Sequence, residues 1–158
     1  MTRVLFVCLG NICRSPTAHG VFQHCVDRAG LADLVEVDSA GTAAYHVGNS
    51  PDPRSMAAAR QRGYDLSPLR ARQAVVEDFD QFDYILAMDH SNLNNLKRIQ
   101  PDYFGGHLGL FLEFAEQFDE VEVPDPYYGG DEGFSHVLDL VEAASEGLLA
   151  QIQQELGR

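Results

Sequence analysis

The segment Cys8-Leu9-Gly10-Asn11-Ile12-Cys13-Arg14-Ser15 sets a thiol and a guanidinium at the two ends of one short loop. That pairing suits an oxyanion. Successive backbone N–H groups curling in front of a helix form a concave ring of donors, and Gly10 and Asn11 tolerate the positive φ such a ring demands. Arg14 adds a bidentate contact to phosphate oxygens that Lys cannot match. The same field, with the Ser15 hydroxyl as a further donor, favours the thiolate of Cys8, which is the attacking form. A thiolate beside a bound phosphate monoester is placed for in-line attack, giving a covalent phosphocysteine.

The loop needs a strand behind it and a helix in front. Arg3 to Cys8 is a β-branched and aromatic run that breaks at Gly10. Ser15 is a good N-cap with Pro16 at the first helical position, and Ala18, Val21, Phe22, Cys25, Val26 and Ala29 recur at helical spacing until Gly30. Further along, Leu34 to Ser39, Tyr84 to Met88 and Leu108 to Phe111 read as strands. Ser55 to Arg62, Ser91 to Ile99 and the stretch around Phe134 to Ile152 read as helices. Strands alternating with helices predict an α/β fold, a small doubly wound sheet of about four parallel strands with helices on both faces. Ligands collect at the carboxyl ends of such strands, where Cys8 lies.

The chain of 158 residues is 45% hydrophobic and 22% charged, so residues 1–158 are expected to form a single domain with a real core. The net charge of −13 argues against binding nucleic acid or an anionic membrane. Five of the 11 basic residues (Arg54, Arg60, Arg62, Arg70 and Arg72) cluster, so an anion site must be built locally. There is neither an apolar run of about 18 residues nor a signal-peptide pattern, which predicts a cytoplasmic protein. Its three cysteines are then free thiols, ligands or a nucleophile.

The loop, followed by Asp38-Ser39-Ala40-Gly41-Thr42 and by Pro124-Asp125-Pro126-Tyr127-Tyr128, resembles the low-molecular-weight protein tyrosine phosphatases. Asp52-Pro53-Arg54, Ala71-Arg72-Gln73 and Phe82 to Asp89 extend the likeness over essentially the whole chain. The resemblance implies hydrolysis of phosphotyrosine in tyrosine-phosphorylated proteins, with phosphate and other oxyanions as product or inhibitors. Neither a metal nor a cofactor is needed, because cradle and Arg14 supply the charge stabilisation.

In the cycle so implied, Asp125 protonates the departing phenol and then, as carboxylate, activates water. Pro124 and Pro126 stiffen the backbone that aims it, and the acids Glu120, Glu122 and Asp131 help keep it protonated. Tyr45, Tyr127 and Tyr128, with Leu9 and Ile12, correspond to cleft walls on which a flat ring stacks. The family also pairs Asn11 with Ser39 to hold the loop open, places Asp89 near Ser15, and in many members has His where this chain has Leu69. Cys13, five positions after the nucleophile, matches the family's partner for a reversible disulfide with oxidised Cys8.

Other readings are weaker. Arsenate reductases of related fold need cysteines after the third strand, where this chain has none, and Cys25 falls on an apolar helical stripe. Arginine phosphatases of this family resemble one another in having Thr where this chain has Ile12. A zinc site from Cys8, Cys13, His24 and Cys25 has the wrong spacing. A non-catalytic redox or anion-binding module would not require Cys8, Arg14 and Asp125 together. The remaining five histidines show no ligand spacing and are expected to be solvated or locally bonded.

Overall fold

A computed structural model describes residues 1–127 and 129–158. Four parallel strands, β1 (Thr2–Cys8), β2 (Val35–Gly41), β3 (Tyr84–Ala87) and β4 (His107–Leu110), form one sheet in the order β2-β1-β3-β4. Helices α1 (Arg14–Arg28), α2 (Pro53–Gln61), α3 (Asp78–Gln81), α4 (His90–Ile99) and α5 (Asp131–Leu156) complete it, with a 3₁₀ turn at Phe111–Phe114. This is the doubly wound α/β architecture that the alternation of elements predicts.

The unbroken apolar run of β1 has a simple cause: Val4 to Val7 are fully buried because the strand is central and covered on both sides. Val4, Phe6 and Cys8 face a core filled by Val21 and Phe22 of α1 and by Val137, Leu138 and Val141 of α5. Phe6 meets the Phe22 and Phe111 rings edge-on at 5.7 and 4.8 Å. Leu5 and Val7 point the other way, against Phe79 of α3 and Leu93 and Leu96 of α4.

The chain leaves β1 through α1 toward β2 on one side, whereas β3 lies on the other. The loops beyond β1 and β3 therefore diverge, opening a crevice at the strands' carboxyl ends. Register decides what borders it. Cys8 pairs with Gly41, while Ser39 pairs with Phe6, one pleat lower.

One boundary differs from the sequence reading in a way that matters. Helix α1 begins at Arg14 with Cys13 as N-cap, so Ser15 lies inside the first turn and does not cap. No acidic residue occupies that turn, which keeps the positive end of the helix dipole free for a ligand. The four-residue α3 has no sequence signal because it is too short for periodicity.

Candidate active site

The loop from Leu9 to Cys13 is held from outside. Its carbonyls turn away from the centre: Cys8 O accepts from Thr42 N at 2.9 Å, Leu9 O from Ala43 N at 3.0 Å and Ile12 O from Asp52 N at 2.8 Å. Among the described residues, the amides of Gly10, Ile12, Cys13 and Arg14 donate to no protein acceptor. With carbonyls tethered outward, those donors form the concave anion-binding ring. Asn11 takes φ 58°, the left-handed conformation that turns the ring. Gly10 does not adopt positive φ. It is small for another reason, since a Cβ there would lie 2.9 Å from His46 Cδ2. Gly41 gives the loop room from below, because its Cβ would sit 2.6 Å from Leu9 O.

Cys8 Sγ lies on the floor, 3.0 Å from Ser15 Oγ, and accepts from Asn11 N at 3.3 Å. The Asn11 amide stabilises negative charge on sulfur, and the Ser15 hydroxyl adds to this when its proton turns to Sγ rather than to Ala40 O at 3.3 Å. Asn11 and Ser15 are buried behind the loop and act as braces: Asn11 Nδ2 donates to Ser15 Oγ at 2.7 Å, and Asn11 Oδ1 accepts from Arg72 N at 3.0 Å. The expected Asn11–Ser39 pair is not formed. Ser39, one pleat below, bonds His19 Nδ1 at 3.1 Å instead, and its N–H donates to Asp38 Oδ1.

Arg14 is 4% exposed and anchored by one nitrogen, with Nη1 donating to Asp89 Oδ2 at 2.7 Å and to Val123 O at 3.0 Å. This leaves Nε and Nη2 as a fork for two anion oxygens. Burial works against its charge, but the negative charges of Cys8 and Asp89 outweigh it and hold its pKa above the ordinary value. Asp89 therefore supports Arg14, and among the described residues no hydrogen bond joins it to Ser15. Its other oxygen caps α4 by accepting from Asn92 N at 2.8 Å.

Asp125 closes the site from the segment before α5, with Oδ2 3.9 Å from Arg14 Nη2 and Oδ1 accepting from Tyr127 N at 3.0 Å. Two of the three acids expected around it are occupied elsewhere. Glu122 pairs with His90 at 3.1 Å and Glu120 with His136 at 2.8 Å. Between cradle and acid lies a cleft of about 320 Å³ lined by Cys8, Leu9, Ile12, Tyr45, Asp125 and Tyr127, with Gly10, Cys13 and Arg14 at its base. Tyr128 lies outside the described residues.

Three wall or support residues, His46, Asp52 and Arg54, carry no role in the sequence reading. His46 lines the cleft with its ring 6.4 Å from that of Tyr45. Asp52 caps α2 and grips Arg54, which in turn bonds the carbonyl of Tyr127. Cys13 is 5% exposed; burial pushes its thiol up to about 12, with a Ser55 hydrogen bond pulling the other way.

The model of the low molecular weight phosphotyrosine protein phosphatase family matches residues 3–158. A low molecular weight protein-tyrosine-phosphatase of Streptomyces coelicolor is 45% identical, covering 98% of this chain and 95% of its own. The crystal structure of a protein tyrosine phosphatase from Entamoeba histolytica, with Hepes in the active site, superposes with a TM-score of 0.93 at 40% identity over 99% of both chains. A Drosophila arginine phosphatase aligns with a TM-score of 0.89 at 32% identity over 97% of this chain and 98% of its own. Family model, identity and fold agree along nearly the whole length, and the chain belongs to the low molecular weight phosphotyrosine protein phosphatase family.

Proposed function

We propose that this enzyme hydrolyses phosphotyrosine in proteins, and small aryl phosphate monoesters, through a phosphocysteine on Cys8. The observation that carries this is the thiol at the centre of an inward-facing amide ring, with Ser15 Oγ and Asn11 N on its sulfur and the fork of Arg14 beside it. In the first step the Cys8 thiolate attacks phosphorus, the ester P–O bond breaks, and Asp125 delivers its proton to the leaving phenolate oxygen. In the second, the Asp125 carboxylate takes a proton from water, whose oxygen attacks the phosphocysteine. Inorganic phosphate leaves and the thiolate is restored. Charge on the equatorial oxygens is met throughout by the loop amides and Arg14.

The cleft walls support an aromatic ester: Leu9, Ile12, Tyr45 and Tyr127 offer apolar and aromatic surface above a phosphate site that a short phosphoserine would not span. We place the activity in the cytoplasm, in keeping with three free cysteines. There, peroxide converts Cys8 to a sulfenic acid, and the Cys13 thiol displaces water from it to form a disulfide. Both residues line one cleft.

The test is an aryl phosphate assay with Cys8→Ser. The wild type turns over and the variant loses turnover by at least about 10³-fold while still binding inorganic phosphate, because the donor ring and Arg14 remain. Residual turnover near wild type overturns the phosphocysteine route. Phosphoarginine hydrolysed in preference to phosphotyrosine overturns the substrate assignment.

A further inference from the structure

Asp125 is the working group with the least structure of its own. Its side chain is 42% exposed, on a stretch between the 3₁₀ turn and α5 whose described residues form no helix or strand. Yet the five residues Val123 to Tyr127 are pinned at both ends by the same kind of bond. Two positions before Asp125, the carbonyl of Val123 accepts from Arg14 Nη1 at 3.0 Å. Two positions after it, the carbonyl of Tyr127 accepts from Arg54 Nη2 at 2.8 Å. Pro124 and Pro126 fill the positions between, so the strap has few backbone freedoms once its ends are fixed.

The Arg54 end connects to the cradle by a route independent of Arg14. Asp52 holds the guanidinium in a fork, Nε to Oδ1 at 3.2 Å and Nη2 to Oδ2 at 3.1 Å. The N–H of the same Asp52 donates to Ile12 O in the phosphate loop. The guanidinium also lies over two rings, 5.3 Å from the centroid of Tyr127 and 4.8 Å from that of Phe134 in α5. One side chain thus joins the phosphate loop, a cleft wall, the acid strap and α5. Arg54 is held too firmly by Asp52 and Tyr127 to serve as a free cation for the phosphate, and it does not line the cleft.

We propose that Arg54 is a positioning residue for the proton transfer: through the Tyr127 carbonyl it fixes the strap so that Asp125 meets the leaving oxygen of a phosphate held in the cradle. This rests on Asp125 being the general acid. Displacing a catalytic group by about 1 Å costs on the order of a hundredfold, so a small loosening of the strap is enough to be read in rates.

The experiment measures kcat/KM, which reports the first chemical step, for phosphotyrosine and for an aryl phosphate whose phenol leaves without protonation. The enzymes are wild type, Arg54→Gln, Arg54→Lys, Asp125→Asn and the double variant Arg54→Gln with Asp125→Asn. Arg54→Gln should lose about tenfold to a hundredfold on phosphotyrosine and no more than about threefold on the activated ester, with phosphate inhibition retained. Arg54→Lys keeps the charge but not the fork and should behave like Arg54→Gln. In the Asp125→Asn background the further loss should be less than about twofold, since the group being positioned has gone. Asp52→Asn is the fallback should Arg54→Gln fail to fold: Asn caps a helix as well as Asp does, yet it breaks the fork, so the same pattern should appear in smaller amplitude. Equal losses on both esters, additivity with Asp125→Asn, or rescue by Arg54→Lys would overturn the proposal. If Asp125→Asn itself fails to discriminate the esters, the acid assignment falls and the proposal falls with it. If it discriminates and Arg54→Gln does not, only the role of Arg54 is lost.

Discussion

The cradle and the acid strap face each other across one cleft but are built on opposite principles. In the cradle, Asn11, Arg14 and Ser15 are at most 4% exposed, and the loop carbonyls are tied to Thr42, Ala43 and Asp52 in the connection after β2. In the strap, Asp125 is 42% exposed and the backbone is held at its ends. The difference follows from the work each does. Donors that stabilise transition-state charge must be oriented before the reaction, because reorienting them during it costs free energy. An acid that gives a proton to a phenol and takes one from water has to exchange with both, and burial would deny it that.

The largest effect separating the two regions is expected from Arg14→Lys. Lysine cannot present the Nε/Nη2 fork while keeping Asp89 and the Val123 carbonyl paired, and it leaves buried acceptors short of a donor. Steady-state kinetics should show kcat/KM reduced by about 10²-fold or more for both classes of ester, with phosphate inhibition weakened in parallel. That uniform loss contrasts with the ester-dependent loss expected on the strap side. If Arg14→Lys spared the activated ester, the division between a charge-binding cradle and a proton-transferring strap would not hold.

The cradle was the more legible region in the sequence. Cys8, Arg14 and the glycine between them fall within seven consecutive residues, and the apolar run before them and the helical spacing after them mark strand, loop and helix directly. What escaped were contacts between distant segments. Arg54 and Tyr127 are 73 positions apart, and nothing local in Asp52-Pro53-Arg54 indicates that partner. The support of Arg14 by Asp89 depends on β3 lying beside β1 with Val7 opposite Ala87, a register the sequence does not display. Register also explains Ser39: it belongs to the right motif but pairs with Phe6, leaving Gly41 beside Cys8. Ser15 misled because Ser-Pro is a helix-start signal, whereas here its hydroxyl lies against Cys8 Sγ and α1 starts two residues earlier, at Arg14.

A smaller effect concerns Cys13, the part of the cradle with no phosphate-binding side chain. Its burial and the raised pKa of its thiol, about 12, mean that little thiolate is present at neutral pH, so capture of a Cys8 sulfenic acid depends on proximity within the loop. After peroxide and then thiol reductant, wild type should recover most activity, and its oxidised loop peptide should be lighter by two hydrogens. Cys13→Ser should recover several-fold less and accumulate sulfinic or sulfonic acid. Equal recovery by both, without the linked peptide, would leave Cys13 as a packing residue bonded to Ser55.

The smallest effect lies at the outer edge of the cradle's bracing, where Asn11 is tied through Arg72 and Asp38 to Ser39 and His19. Burial lowers the pKa of His19 below its ordinary 6.5, with Asp38 pulling the other way. Above that value the imidazole is neutral in both folded and unfolded chains and its contribution is constant. As pH falls below it, the unfolded chain takes up the proton more readily, so stability is lost toward acid. One proton limits the slope to about 1.4 kcal/mol per pH unit. His19→Gln keeps a hydrogen-bonding partner for Ser39 without a titrating group. Urea unfolding of both proteins across this range should give a stability difference that is flat above about pH 7 and moves in favour of the variant as pH drops through 6. Parallel curves at every pH would show that this proton is not linked to folding, and that the cradle's outer brace is as indifferent to pH as its amide ring.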